Sequence, residues 1–146
     1  MPTVEVVQAL AAPIDEVWAL ICDVRAYPRL MEPVRALDVV DDNGDQITTA
    51  WEIELKGSIL KWTEHEQRDA ENYTISYHQL DGDLQEFDGF WRLRALSATT
   101  TEATLLVRFE IGIPMLREML NPVAERAIRK NSREMLLSLG PAVETP

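Results

Sequence analysis

The chain has 146 residues, 46% of them hydrophobic, and a net charge of −11. That length and apolar fraction suit one domain, residues 1–146, with a closed core and no Gly/Ser/Pro-rich linker dividing it. The acidic balance argues against nucleic acid and anionic membrane surfaces, since both polyanions need Lys and Arg turned toward them.

Residues 3–11, TVEVVQALA, favour a strand and lead to Pro13, which suits the first turn of a helix. Asp15 and Glu16 follow where negative charge favours a helix N-terminus. Ile14, Val17, Trp18 and Ile21 then repeat at the spacing of one apolar helix face, predicting a helix that ends near Asp23. Cys22 lies in this apolar run, has no partner for an internal disulfide, and reads as a small buried hydrophobe. A second short helical turn is expected from Arg25 to Met31, interrupted by Pro28 and closed by Pro33. Residues 1–15 lack the basic start and apolar stretch of a secretory signal, and no apolar run approaches the roughly 20 residues of a membrane span. A cytoplasmic location without membrane insertion is the expectation.

From Val34 the hydrophobic period changes to two. Six strand-like runs are predicted at about 34–41, 46–55, 59–68, 73–80, 86–95 and 102–111. The breaks carry turn residues, among them Asp42-Asn43-Gly44, Lys56-Gly57 and Asp81-Gly82-Asp83. Such short connections predict hairpins and hence an antiparallel meander. Asn121-Pro122 is the expected start of a last helix, with residues 113–120 as a preceding turn. Val123, Ala127, Ile128, Met135 and Leu139 form its apolar stripe, Gly140 is its C-cap, and a loose tail follows to Pro146. The fold class is therefore α+β: a curved sheet of seven strands closed around a long C-terminal helix, with two short helices after the first strand. A sheet curled around one helix leaves room for an interior pocket.

Alternation sorts the faces. Trp51, Ile53 and Leu55 share a side, as do Phe87, Gly89, Trp91 and Leu93, and Leu105, Val107, Phe109 and Ile111. Leu60 and Trp62 take Glu64 and Glu66 with them, provided no bulge intervenes, and Arg68 on that face could pair with Glu66. A buried carboxylate is costly unless paired or protonated, so Glu64 and Glu66 are the candidate acid–base groups, with Tyr27 as a third. Trp51, Trp62, Tyr77, Phe87, Trp91, Phe109, Asn131 and Met135 are the candidate ligand-binding residues. Asn131 stands out as a polar residue within the last helix's apolar stripe. His65 and His78 alternate outward. No Gly-rich phosphate loop, HExxH, CxxC or G-x-S-x-G occurs, so no cofactor or metal is implied.

The segment APIDEVWALICDVRAYPRLMEPV, with Pro13, Trp18, Asp23, Tyr27 and Pro28 in order, resembles the opening of the SRPBCC (START-like) superfamily. The resemblance covers nearly the whole chain and implies a helix-grip fold. KWTEHEQRD and RKNSREMLLSL resemble the polyketide aromatase/cyclase branch, which folds a poly-β-ketone in its cavity and promotes aldol ring closure and dehydration, as in antibiotic biosynthesis. LDGDLQEFDGFWRL instead resembles the coenzyme Q-binding START proteins, which carry quinones or lipids, although Asp83 stands where those commonly have proline. Aligned on Trp62, Glu66 falls where better-known aromatase/cyclases keep an inward arginine, and Val34 falls near their tyrosine. The cyclase reading therefore has to rest on Glu64, Glu66 and Tyr27, and the alternative is a non-catalytic carrier of a hydrophobic metabolite. The resemblance also makes an acyl carrier protein a candidate partner. Arg126, Arg129, Lys130 and Arg133 supply a basic patch for an acidic carrier, and a homodimer is a further candidate.

Overall fold

The computed structural model describes residues 2–55, 57–111 and 117–143. Its elements run β1 (Thr3–Leu10), α1 (Ile14–Cys22), a 3-10 turn (Val24–Ala26), α2 (Tyr27–Leu30), β2 (Val34–Asp42), β3 (Gln46–Leu55), β4 (Ser58–Asp69), β5 (Thr74–Gly82), β6 (Glu86–Ser97), β7 (Thr100–Glu110) and α3 (Arg117–Leu137). The strands form one antiparallel sheet in the order β1-β7-β6-β5-β4-β3-β2. The helices after β1 carry the chain from one sheet edge to the other, and the meander brings it back to pair β7 with β1. Two hairpin turns use glycine in the left-handed region, at Gly44 (φ 86°) and Gly57 (φ 81°), where a side chain would be strained.

Register shifts between β2 and β3, β4 and β5, and β6 and β7 add the twist that curls the sheet. In the β4–β5 shift Thr63 faces Asp81 whereas Glu64 faces Gln79, so the extra residue is Leu80 on β5, which is exposed. β4 thus keeps its alternation from Trp62 to Arg68. The concave face holds the core, including Ile47, Trp51, Ile75, Trp91, Leu105 and Phe109, and α1, α2 and α3 close over it.

Four expectations about the C-terminal region change. The last helix begins by Arg117, so Pro122 lies inside it and does not open it. Proline lacks one backbone donor, and a helix tolerates this best near its N-terminal end. The buried side chains of α3's C-terminal half and the turn after it are Ile128, Ser132, Met135, Leu136 and Leu139, so Ser132 occupies the polar position on that stripe and Asn131 flanks it. Gly140 is not in the left-handed region, and an added Cβ there would come within 3.3 Å of the Ala12 Cβ, so its smallness serves a close approach to the chain after β1. Residues 141–143 are not loose. The Ala11 and Val143 amides donate to the Pro141 and Ala9 carbonyls (2.7 and 2.9 Å), covering part of the β1 edge. Residues 144–146 lie outside the described residues, as do 112–116 of the expected turn. Among the described residues, no helix is long and apolar enough to cross a membrane.

Candidate functional site

The sheet and α3 enclose a cavity of about 50 Å³. Its sheet walls are Trp51, Ile53 and Leu55 from β3, Leu60, Trp62 and Glu64 from β4, Tyr77, Phe87, Trp91, and Leu105 and Val107 from β7. Ile128, Asn131, Ser132 and Met135 of α3 close it. The aromatic walls form a continuous array. Trp51 and Trp62, directly opposite in register, stack at 5.5 Å and 10°, and Trp62 reaches Phe87 at 4.9 Å. Such rings give the cavity flat, rigid surfaces.

Two carboxyls lie against this array. Glu64 and Glu66 are each 3% exposed, because unbroken alternation on β4 turns both inward. The Trp62 Nε1–H donates to Glu64 Oε1 (2.7 Å), and the Thr49 hydroxyl donates to Glu66 Oε2 (2.7 Å). The Trp51 Nε1–H in turn donates to Thr49 Oγ1 (2.7 Å). The two carboxyls lie close enough to influence each other's ionisation. Burial pushes Glu64 well above the usual carboxylate range, and the neighbouring Glu66 charge pushes it further, against the Trp62 donor. Burial raises Glu66 too, but the bond from Thr49, the neighbouring Glu64 and the charge of Arg68 hold it back. Both carboxyls are thus pushed toward the protonated form, Glu64 more strongly than Glu66. Arg68 does share their face, and its Nη2–H donates to the Cys22 carbonyl (2.7 Å) at the end of α1. A cation suits a helix C-terminus, and it also sits beside Glu66.

The structure brings most of the sequence-derived candidates together. Glu64, Trp51, Trp62, Tyr77, Phe87, Trp91, Asn131 and Met135 all line the cavity. Glu66, Tyr27 and Phe109 are not among its walls. Glu66 lies behind Glu64. Tyr27 is buried between Trp51 and Trp91, with ring centroids at 5.6 and 6.1 Å, and its hydroxyl donates to the Ile21 carbonyl. Burial and the Glu66 charge push its pKa well up, so the phenol stays protonated and engaged. Phe109 is fully buried core. The Tyr77 hydroxyl donates to the Leu106 carbonyl (2.9 Å), and burial raises its pKa as well. The Asn131 amide donates to the Glu54 carbonyl (2.8 Å), clasping α3 to the end of β3.

Thr49 and Ser132 are the polar residues that alternation and helix period did not single out. Thr49 shares the inner face with Trp51, which was the available signal, yet its importance depends on a diagonal bond to the neighbouring strand. Cys22 is half-buried, and burial raises its thiol pKa, which disfavours a nucleophilic thiolate. Arg126, Arg129, Lys130 and Arg133 line one shallow groove on the outer face of α3 with Glu134 and Leu137. Among the described residues, no cluster of three or more His, Cys, Asp or Glu is placed to hold a metal ion.

Residues 10–136 match the family model described as polyketide cyclase/dehydrase and lipid transport. The chain belongs to that family. Its similarity to a granaticin polyketide synthase bifunctional cyclase/dehydratase of Streptomyces violaceoruber is 27% identity over 143 residues, 93% of this chain but 42% of the relative. Among solved structures it resembles the Zhui aromatase/cyclase of Streptomyces sp. R1128, with 25% identity, a TM-score of 0.82 and coverage of 94% and 90% of the two chains. A protein of Thermus thermophilus shares the fold with a TM-score of 0.88, 24% identity and coverage of 94% of each chain. These two solved structures thus share the grip of a curved sheet on a C-terminal helix, and the carboxyl pair lies in that grip here.

Proposed function

We propose that the protein is a cyclase/dehydratase of the aromatic polyketide type, acting in the cytoplasm in antibiotic biosynthesis. It would hold a poly-β-ketone against the aromatic walls and promote ring closure and loss of water by acid–base catalysis. The observation that carries this reading is the buried pair of neighbouring carboxyls, Glu64 at the wall of a largely apolar cavity and Glu66 next to it. A carrier has no use for two buried carboxyls beside its ligand, whereas proton transfer is served by a carboxyl raised above its ordinary range.

Glu64 is the member that lines the cavity. In the closure step Glu64 passes its proton to the neighbouring Glu66 and takes one from a methylene flanked by carbonyls as the carbon–carbon bond forms, then gives that proton to the carbonyl oxygen that becomes a hydroxyl; Glu66 afterwards returns its proton to Glu64. In the dehydration step Glu64 gives its proton to that hydroxyl, which leaves as water, and the adjacent carbon gives a proton back to the pair. The tryptophans hold the chain bent, which makes closure effectively unimolecular. Family membership and the similarity to a bifunctional cyclase/dehydratase and to an aromatase/cyclase support the same chemistry.

The test is turnover of a thioester-linked poly-β-ketone, followed by mass loss of water and by the absorbance of the aromatic product. Glu64→Gln is expected to cut turnover at least about a hundredfold while leaving binding, read by tryptophan quenching, nearly intact. Equal turnover by wild type and Glu64→Gln would overturn the acid–base reading. A second reading, carriage of a quinone or lipid, is favoured by the largely apolar remainder of the walls. It predicts no dehydration by either protein and a greasy ligand co-purifying in native mass spectra. The proposal extends to an acyl carrier protein docking on the basic groove of α3, since such substrates are tethered and carriers are acidic. Reversing Arg126, Lys130 and Arg133 should then raise KM for carrier-bound substrate and leave a free thioester unaffected.

A further inference from the structure

The two buried carboxyls have unequal surroundings. Each accepts one bond from a side chain on the inner face, Trp62 to Glu64 and Thr49 to Glu66. Trp62 is a simple donor. Thr49 is the middle of a chain, because its oxygen already accepts the Trp51 indole N–H. An indole N–H can only donate, so the single hydroxyl proton of Thr49 is directed to Glu66 Oε2. Thr49 is wholly buried, so water cannot replace that donor if it is removed. A donor that is itself accepting a bond is polarised, and the effect favours charge on the oxygen it meets. Arg68, two residues beyond Glu66 on the same face, adds a cation on that side only.

We infer that Thr49, oriented by the Trp51 indole, is the positioning residue that keeps the carboxylate on Glu66 and the shared proton on Glu64. Thr49 does not line the cavity and takes no part in bond making; it acts through Glu66. The inference deepens the acid–base reading of this site and rests on it for its functional meaning. The location of the proton, however, is measurable without substrate.

The experiment is a carboxyl titration of the intact protein carrying carbon-13 glutamate, with Glu64→Gln and Glu66→Gln used to assign the two signals. In wild type the Glu64 carboxyl should be protonated and the Glu66 carboxyl ionised at neutral pH. Thr49→Val keeps the shape and removes the hydroxyl. It should move the first ionisation of the pair up by about one pH unit, the scale of a hydrogen bond to a charged group, and pass part of the proton to Glu66. Thr49→Ser restores the hydroxyl and should titrate like wild type. If Thr49→Val does not fold, Trp51→Phe removes only the indole donor and should shift the pair in the same direction by less. A Thr49→Val or Trp51→Phe protein titrating like wild type, or a Thr49→Ser protein titrating like Thr49→Val, would overturn the inference. A wild-type pair with its proton on Glu66 would do so as well. The titration and the turnover assay fail separately: a shifted pair in a protein that never dehydrates a poly-β-ketone would sink the proposed activity and leave this assignment standing.

Discussion

Glu64 and Glu66 titrate above their ordinary value of 4.5 in the folded chain, and that direction fixes how they affect stability. From about pH 4.5 upward, until the folded pair has ionised, the folded chain binds more protons than the unfolded chain. The unfolding free energy contributed by the pair therefore falls as pH rises through this window, and the penalty is absent below it. Glu64→Gln removes the more strongly shifted group while keeping an oxygen for the Trp62 indole and an amide for Glu66. The variant should melt above wild type at pH 8, and the gain should vanish near pH 4. Glu66→Gln should gain less, since its shift is smaller. Thermal unfolding by circular dichroism across pH 4–8 checks this, and a Tm difference that ignores pH would contradict it. Strand alternation made both carboxyls legible in the sequence, because period two is rigid once Trp62 is known to face inward. Thr49 was not legible in the same way. Thr49 faces Glu64 in register yet bonds Glu66, and diagonal reach is a property of the twisted sheet, not of the pattern on either strand.

At the scale of elements, β5 and β6 meet through a side chain laid over a glycine. Tyr77 is paired with Gly89, and its ring crosses that position to place the hydroxyl on the Leu106 carbonyl. A Cβ added at Gly89 would lie 1.8 Å from the Leu106 carbonyl oxygen and 2.7 Å from the Tyr77 hydroxyl. Gly89→Ala should therefore destabilise the fold by about 3 kcal/mol, at the upper end of overpacking costs, because the nearest obstacle is backbone. Tyr77→Phe removes one hydrogen bond and should cost about 1 kcal/mol. Combining the two should not rescue Gly89→Ala, since the clash with Leu106 remains; denaturant titration of the three variants tests this. The strands were legible to within about two residues at each end because turn chemistry and period two agree at the hairpins. The last helix was less so. Asn121-Pro122 has the composition of a helix start, yet the chain is already helical by Arg117, because a proline near a helix start loses only one bond. The residues after α3 carry no periodic signal at all. What orders Pro141 to Val143 is the open hydrogen-bonding edge of β1, formed by residues far away in sequence.

For the whole molecule, the deciding quantity is space. The cavity of about 50 Å³ holds a few waters, whereas pockets that enclose ligands run to about 300–1,000 Å³. A ligand of the proposed size would therefore have to part α3 from the sheet, since the strands are tied to each other along their length whereas, among the described residues, α3 is held by few hydrogen bonds. The tie at the β3 end is the Asn131 amide on the Glu54 carbonyl, whereas the Arg129 guanidinium holds the Glu5 carbonyl of β1 (3.1 Å) on the other flank. Opening at Asn131 breaks one hydrogen bond, exposes Leu55, Leu60 and the tryptophans behind them, and leaves the β1 flank as the hinge. If that bond must break before entry, its net worth of about 1 kcal/mol appears in the barrier, and Asn131→Ala should speed uptake about fivefold. An anilinonaphthalene sulfonate dye mixed in a stopped-flow instrument reads the rate without knowledge of the substrate. Release should accelerate by a similar factor, because the closed form is destabilised whether or not it is filled, and equilibrium binding should change little. Arg129→Gln, on the hinge flank, should leave both rates near wild type. Equal rates in wild type and Asn131→Ala would place the entrance elsewhere and leave the clasp a purely structural contact.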